Sequence, residues 1–318
     1  MTEPPSESSS STPMLPTPPP EGLATRIFLG VDGLRVGWSL LLYLAFGFFI
    51  WYPLQILVLV ILGSRGSSYS PQSVTLGDLV SFAAAYGAAL IMSRLERRPA
   101  DAYGLPLPEA FGKSFWLGVF FGLCEVSLLL GLIAAFGGYS FGNLAIHGTA
   151  LLGRGTLWAV AFVFVGLSEE FLFRGYAQYT LARGVGFWPA AVFLSLVFGA
   201  AHLRNPGEGI VGALNVAVTG LVFAFALRRT GNLWLAVGWH ACFDFGETFL
   251  FSVPNSGFVF DHQLSNAALH GPVWLTGGTV GPEGSVFGFL TMGISALAIH
   301  LLFPAKKRTG ESQTTTST

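Results

Sequence analysis

The amino-acid sequence predicts an all-α fold, a polytopic bundle of transmembrane helices with about eight spans and polar groups inside the bundle. Hydrophobic residues make up 52% of the 318 residues, charged residues only 10%, and the mean hydropathy is +0.61. Soluble domains average about 25% charged residues. Several apolar stretches also reach the length of about 20 residues that a helix needs to cross the hydrocarbon core. The chain is therefore predicted to be an integral membrane protein.

The predicted spans divide the chain into segments with different roles. The eight spans are residues 38–62, 75–93, 114–136, 156–180, 187–203, 210–227, 232–251 and 285–304. The predicted domains are a disordered cytoplasmic tail (1–25), three helices with a cytoplasmic loop (26–150), a core of four helices (151–251), an external loop (252–284), a last helix (285–305) and a second polar cytoplasmic tail (306–318). The first tail is rich in Pro, Ser and Glu and has almost nothing to bury, which predicts disorder.

Basic residues predict the orientation. With the amino terminus in the cytoplasm, all of the 16 Lys and Arg residues except Arg65, Arg154 and Arg204 fall on the cytoplasmic side, as the positive-inside rule requires. Both termini are then cytoplasmic, and we expect the protein in a bacterial inner membrane. The net charge of −1 gives no indication of a nucleic-acid partner, and the two cysteines form neither a thiolate zinc motif nor a disulfide framework.

Ionisable side chains within spans are costly and mark paired or functional groups. They fall in four places: the stretch SEEFLFRG with Glu169, Glu170 and Arg174; His202 at the end of the fifth span; WHACFDFGE with His240, Asp244 and Glu247; and Glu125 in the third span. For Glu125, which has no local partner, a long-range salt bridge is the expectation. Asp78 is expected at the external interface.

The two adjacent glutamates are predicted to differ in role. Glu170 and Arg174 are four residues apart on one helix face, which suits an ion pair. Glu169 is turned about 100° away around the helix, so it is left free to act as a base. A helix-bundle salt bridge without chemistry is the alternative for the whole cluster. His240 and Asp244 repeat the four-residue spacing, and Glu247 shares their face. From the residues alone, a proton carrier with its orienting group, half of a metal site and a buried hydrogen bond all remain open for that pair.

Taken together, these segments resemble the signature of the CPBP intramembrane proteases, which include the eukaryotic CAAX prenyl endopeptidases and the Abi-type bacterial proteins. The matching motifs are EExxxR at Glu169 to Arg174, FxxxH at Phe198 to His202, and HxxxD at His240 to Asp244. The match covers roughly residues 155–250. The resemblance implies an endopeptidase in which Glu169 and His202 activate a water. It places His240 and Asp244 near the developing oxyanion and Glu170 in a supporting pair with Arg174.

Two features leave the mechanism open. Members of the family usually carry Asn where this chain has Asp244, and an ionised aspartate cannot donate a hydrogen bond. Asp244 is then protonated, orients His240 or binds a metal. Two histidines and a glutamate also form a common zinc set, so zinc held by Glu169, His202 and His240 is the alternative to the favoured mechanism, which uses no cofactor. At about 1.5 Å per residue, the predicted spans also place His202 up to ~10 Å from the other groups along the membrane normal.

Two functions other than proteolysis are also compatible with these residues. A membrane carrier would also line a cavity with ionisable groups, and a catalytically silent scaffold would keep the fold and carry the change at Asp244. The motifs of rhomboid-type, presenilin-type and site-2-type proteases are absent from the sequence. The expected partners are the lipid bilayer and a membrane-associated peptide or protein substrate. The sequence gives neither the substrate nor the oligomeric state.

Overall fold

A computed structural model describes residues 23–30, 33–63 and 69–304 of the chain. The predicted tail at 306–318 and all but the last three residues of the tail at 1–25 lie outside these ranges. The chain divides into two units with the boundary after Arg35. The first unit contains helix α1 (Leu23–Phe28) and an antiparallel pair of short strands, β1 (Leu29–Gly30) and β2 (Gly33–Leu34).

The second unit is almost entirely helical and confirms the predicted all-α class. Its helices are α2 (Val36–Leu62), α3 (Pro71–Glu96), α4 (Lys113–Ala135), α5 (Thr149–Arg174), α6 (Tyr176–Val185), α7 (Phe187–His202), α8 (Ile210–Thr230), α9 (Trp234–Phe245), α10 (Val273–Thr276) and α11 (Val286–Leu302). A helix lies at each of the eight predicted spans. Five described helical segments are long and apolar enough to cross a membrane, namely 36–62, 71–96, 113–135, 149–185 and 210–230. The count of eight spans stays a prediction, because α7, α9 and α11 are shorter.

The helix that carries SEEFLFRG differs from the predicted span at 156–180. Helix α5 already begins at Thr149 and ends at Arg174, where Gly175 separates it from α6. A β-carbon at position 175 would overlap the carbonyl oxygen of Phe171, so this break requires glycine. The sequence pattern missed the break because the apolar residues continue across it. Both glutamates consequently lie in the last two turns of α5.

Helix α9, which carries His240, packs closely against α4 through glycines. A β-carbon on Gly118 of α4 would overlap the carbonyl oxygen of Leu235, and one on Gly238 of α9 would overlap that of Phe115. A β-carbon on Gly122 would likewise overlap the carbonyl oxygen of Trp239. Small residues let membrane helices approach in this way. This contact fixes the height and rotation of α9 in the bundle.

Replacing Gly122 by alanine is expected to destabilise the protein. The added methyl group has to displace the α9 backbone at Trp239, and overpacking of this kind costs about 1–3 kcal/mol. Gly131→Ala on the same helix is the matched control, because a β-carbon at Gly131 meets no atom of the described residues within 4 Å. We expect a lower melting temperature in detergent for Gly122→Ala alone. Equal melting temperatures for the two variants would contradict the close α4–α9 contact.

The connections after α4 and after α9 pair with each other. Strands β3 (Tyr139–Ser140) and β4 (Ala268–Leu269) are antiparallel, and a bridge joins Leu144 to Ser265. The segment predicted as a loop at 252–284 is therefore ordered by backbone hydrogen bonds. Part of it packs onto α3, with the ring of Phe258 4.6 Å from that of Tyr69, just before α3. This segment supplies one wall of the cavity described next.

Candidate active site

Glu170 and Arg174 lie on one face of α5, buried inside the bundle. The guanidinium Nη1 of Arg174 is 3.3 Å from Oε1 of Glu170, and neither side chain is exposed. The guanidinium also lies over the ring of Phe198, 4.3 Å from its centroid. Gly220 of α8 leaves the space for Arg174, because a β-carbon there would overlap Nη2. The pair is thus enclosed by α5, α7 and α8.

Three carboxylates surround the imidazole of His240. Its Nδ1 is 2.9 Å from Oε1 of Glu170, while its Nε2 is 3.7 Å from Oε2 of Glu169 and 3.5 Å from Oδ2 of Asp244. Since Glu170 also pairs with Arg174, its carboxylate is held as an acceptor, and Nδ1 of His240 donates to it. The sequence reasoning assigned Glu170 to Arg174 alone. The contact with His240 joins two distant stretches of the chain and has no signal in local spacing.

A cavity of about 460 Å³ opens in front of these groups. Its polar lining consists of Tyr69, Ser73, Asp78, Glu169, His202, Asn205, His240, Asp244, Asn255 and Ser256. The side chain of Glu169 is 32% exposed, compared with 12% for His240 and none for Glu170. The two adjacent glutamates therefore differ sharply, because one faces the cavity and the other is sealed behind His240. A narrower cavity of about 50 Å³ adjoins at His202, His240 and Asp244 and is large enough for water.

His202 lies at the carboxyl end of α7 and lines the same cavity as Glu169, His240 and Asp244. The separation along the membrane normal that the spans suggested therefore does not keep His202 out of the site. A rise per residue measures position only along one helix axis, and tilt and offset come from packing. Nδ1 of His202 is 2.9 Å from the carbonyl oxygen of Phe198. A carbonyl only accepts, so Nδ1 donates and Nε2 is the nitrogen left for other partners.

Two cavity residues were misplaced or missed by the sequence reasoning. Asp78 was expected at the external interface, but it lines the cavity and accepts a hydrogen bond from the hydroxyl of Ser168 at 2.7 Å. Its position inside the predicted span at 75–93, which is α3, was the signal that could have found it. Asn255, a buried residue, donates to the backbone carbonyl of Asp244 at 3.4 Å. It follows the predicted span, and no motif pointed to it.

The two remaining intramembrane glutamates differ in their relation to the site. Glu125 lines the narrower cavity together with His202, His240 and Asp244. Glu125 accepts hydrogen bonds from the Trp239 indole at 2.6 Å and the Thr291 hydroxyl at 3.3 Å, so the expected salt bridge is wrong among the described residues. Glu247 is fully buried and is not among the described lining of either cavity. The backbone changes to a π-helical turn at Gly246–Leu250, which contains Glu247, so this residue lies where the α-helical repeat used to predict its face no longer holds.

The donor groups do not form a ready metal site. Among the described residues, no group of three His, Cys, Asp or Glu side chains is arranged to hold a metal ion. Glu169 and His202, two of the ligands in the zinc alternative, share the cavity, yet no hydrogen bond or ion pair joins these two described residues. Zinc binding by Glu169, His202 and His240 would require their side chains to move together.

Comparison with known protein families gives a match for the segment that contains most of these groups. Residues 151–246 match the family described as type II CAAX prenyl endopeptidase Rce1-like. This match confirms the resemblance inferred from the motifs, and the matched range includes Glu169, Glu170, His202, His240 and Asp244. No curated protein and no solved structure gives a significant match to the chain.

The matched segment comprises nearly all of α5 to α9, of which α5, α7 and α9 line the cavity. The match to an endopeptidase family, together with the apolar helices, supports an integral membrane protein. The wall formed by Asp78 and by residues 255–260 lies outside the matched segment. The cavity is therefore built from helices inside that segment and from segments on either side of it.

Proposed function

We propose that this protein is an intramembrane endopeptidase that hydrolyses a peptide bond of a membrane-associated peptide or protein. The observation that carries the proposal is the exposure of Glu169 in a cavity of about 460 Å³ beside His202, His240 and Asp244, while Glu170 is buried behind His240. Hydrolysis within a membrane needs a base, room for water and donors near the developing oxyanion. The cavity contains groups suited to each of these tasks.

In the proposed mechanism, Glu169 and His202 prepare the water. The carboxylate of Glu169 accepts a proton from it, and Nε2 of His202, left free by the bond from Nδ1 to Phe198, orients it by accepting a second hydrogen bond. The hydroxide attacks the peptide carbonyl carbon. Glu169 then passes the proton to the leaving amine, so that the carboxylate is regenerated.

His240 is proposed to stabilise the oxyanion from Nε2. Donation from this nitrogen needs the doubly protonated ring, because Nδ1 already donates to Glu170. The carboxylates of Glu169, Glu170 and Asp244, all within 4 Å of the ring, stabilise that positive charge. In this mechanism Asp244 acts through His240, and it does not have to donate a hydrogen bond itself.

The proposed setting is a bacterial cytoplasmic membrane with both termini in the cytoplasm, supported by the distribution of Lys and Arg. The test of function compares protein termini in cells that carry the wild type or Glu169→Ala. We expect new termini near membrane-proximal segments only with the wild type. Identical termini in both cells, together with transport of solute by the purified protein in vesicles, would favour a carrier and overturn the proposal.

A metal-free mechanism predicts that strong chelators leave cleavage unchanged. The reason is that proton transfer by Glu169 and charge stabilisation by His240 use side chains alone. The measurement is the cleavage rate of purified protein before and after dialysis against a chelator, together with the zinc content of the protein. A loss of activity that zinc restores would establish the zinc alternative instead.

Asp244→Asn is expected to keep or increase the cleavage rate. The amide removes one of the three carboxylates that stabilise the charge of His240. It occupies the same space beside Nε2 and, unlike an ionised carboxylate, donates its own hydrogen bond to the oxyanion, which offsets that loss. Asp244→Ala, which removes the contact, is expected to lower the rate by about a hundredfold or more. Rates of the two variants are compared in detergent at one pH. An inactive Asp244→Asn that has also lost bound metal would assign Asp244 to a metal site.

A further inference from the structure

A second polar cavity lies on the far side of Arg174, away from the groups proposed for hydrolysis. It measures about 540 Å³, and we call it the arginine cavity. It lies between the 3-10 turn at Ala100–Tyr103, helix α6 and the end of α8. Its polar lining consists of Tyr103, Arg174, Gln178, Tyr179, Arg183 and Arg228. It shares no lining residue with the cavity at Glu169.

The charge of this lining is positive. Three arginines line the arginine cavity, and none of its described lining residues is acidic. Arg174 is paired with Glu170, and Arg183 lies 3.8 Å from Glu96. Neither of these glutamates is among the described lining residues of the cavity. Arg228 is exposed and stacks over Phe187 at 5.1 Å, with no carboxylate partner among the described residues. Arg228 thus brings one uncompensated positive charge to the cavity.

Buried polar groups in the wall also lack partners. Gln178 is 2% exposed, and neither its amide oxygen nor its amide nitrogen has a hydrogen-bond partner among the described residues. The same holds for the hydroxyl of Tyr103 and for Nε and Nη2 of Arg174. A buried amide without a partner costs about 1–3 kcal/mol. A cavity with several such donors is therefore suited to a polar ligand rather than to lipid tails.

We propose that the arginine cavity binds a phosphate-bearing anion. Guanidinium groups match phosphate oxygens with two parallel hydrogen bonds, and the amide of Gln178 and the hydroxyl of Tyr103 add neutral donors. The phosphate is that of a lipid headgroup or of a soluble metabolite, since both present the same oxygens. The site lies at the ends of α6 and α8, on the predicted cytoplasmic face. Arg174 lines the arginine cavity and pairs with Glu170, which in turn contacts His240. An anion bound in this cavity therefore also contacts the ion pair that positions His240.

The test measures binding in purified full-length protein, without reference to cleavage. Inorganic phosphate is titrated at constant ionic strength, with chloride as the reference salt, and the melting temperature and dissociation constant are recorded. We expect phosphate to raise the melting temperature of the wild type. Arg183→Gln and Arg228→Gln are each expected to weaken binding about tenfold or more, because one charged hydrogen bond contributes about 1.5–3 kcal/mol.

Arg229→Gln is the matched control for Arg228→Gln. Arg229 is the next residue on α8 and donates to the carbonyl oxygen of Phe303, outside the described lining of the cavity. Arg229→Gln should therefore leave the affinity for phosphate unchanged. Arg228→Lys keeps the charge and should retain most of the binding. If Arg183→Gln fails to fold, the exposed Arg228 alone decides the outcome.

A second arm separates the two sources of phosphate. The protein is reconstituted in vesicles of phosphatidylcholine, with or without an equal amount of phosphatidylglycerol, and retained lipid is identified by native mass spectrometry. Retention of phosphatidylglycerol that depends on Arg183 and Arg228 indicates a lipid headgroup. Arginine-dependent binding of inorganic phosphate without lipid retention indicates a soluble ligand. Absence of both, or binding that is the same in Arg228→Gln and the wild type, would overturn the proposal.

Discussion

Glu169→Gln is expected to lower the rate of peptide cleavage by at least about a hundredfold while the protein remains folded. A general base contributes roughly 10²–10⁴ to the rate, and the amide of glutamine accepts no proton from water. The side chain is 32% exposed in the cavity, and its one ion-pair contact among the described residues is with His240, at 3.7 Å. Its replacement by an amide of the same size should therefore have little effect on packing. The measurements are the cleavage rate, the melting temperature and the elution profile in detergent.

The matched control is Glu109→Gln, the same chemical change in the 3-10 turn at Leu107–Glu109. Glu109 accepts a hydrogen bond from the side-chain amide of Asn232 at 2.6 Å and is not among the described residues that line the cavity at Glu169. We expect wild-type cleavage from this variant. Full activity in Glu169→Gln would remove the carboxylate from the mechanism, and an equal loss in both variants would indicate a general effect of surface charge.

Arg174→Met is expected to destabilise the protein by about 3 kcal/mol. The change leaves Glu170 fully buried with its charge balanced only by His240, and breaking a buried ion pair costs about 3–5 kcal/mol. The double variant Glu170→Gln, Arg174→Met should recover part of this loss, because no unpaired charge remains. Cleavage should stay low in the double variant, since His240 loses the carboxylate that orients it. Urea or thermal unfolding in detergent measures the first effect.

Arg183→Met provides the comparison for a less buried arginine. Its guanidinium is 3.8 Å from Glu96 and its side chain is 19% exposed, and Glu96 also accepts a hydrogen bond from the hydroxyl of Ser39 at 2.6 Å, so the loss of Arg183 should cost less than that of Arg174. If Arg174→Met and Arg183→Met have equal stability, burial of the Glu170–Arg174 pair does not carry the cost assigned to it. If the double variant cleaves at the wild-type rate, Glu170 has no role in positioning His240.

Local sequence patterns were sufficient for much of the fold. The apolar segments predicted a helix at each of eight positions, and all of these helices are present. The boundaries were less accurate where polar or small residues interrupt a helix without changing its apolar character. Gly175 separates α5 from α6, and the helix that follows α9 is a π-helical turn. Both depend on backbone geometry that a count of apolar residues does not contain.

The sequence also predicted Glu169, His202, His240 and Asp244 as candidate site residues, but not the contacts between their side chains. The spacing of Glu170 and Arg174 indicated their contact because both lie on one helix, where the geometry is fixed by the helical repeat. The contacts of His240 with Glu169 and Glu170 cross from α9 to α5. Such contacts depend on how helices are rotated and offset, which the close α4–α9 packing decides.

The sequence by itself determined the membrane class, the positions of the helices and the set of ionisable side chains buried with them, because hydrophobicity and helical spacing are local properties. Only the tertiary structure decided that Glu169 is exposed and Glu170 sealed, that His202 shares their cavity, and that Asp78 and Asn255 complete its wall. The physical reason is that solvent access and contacts between helices arise from packing. Two adjacent glutamates with the same chemistry become different groups once the bundle closes around one of them.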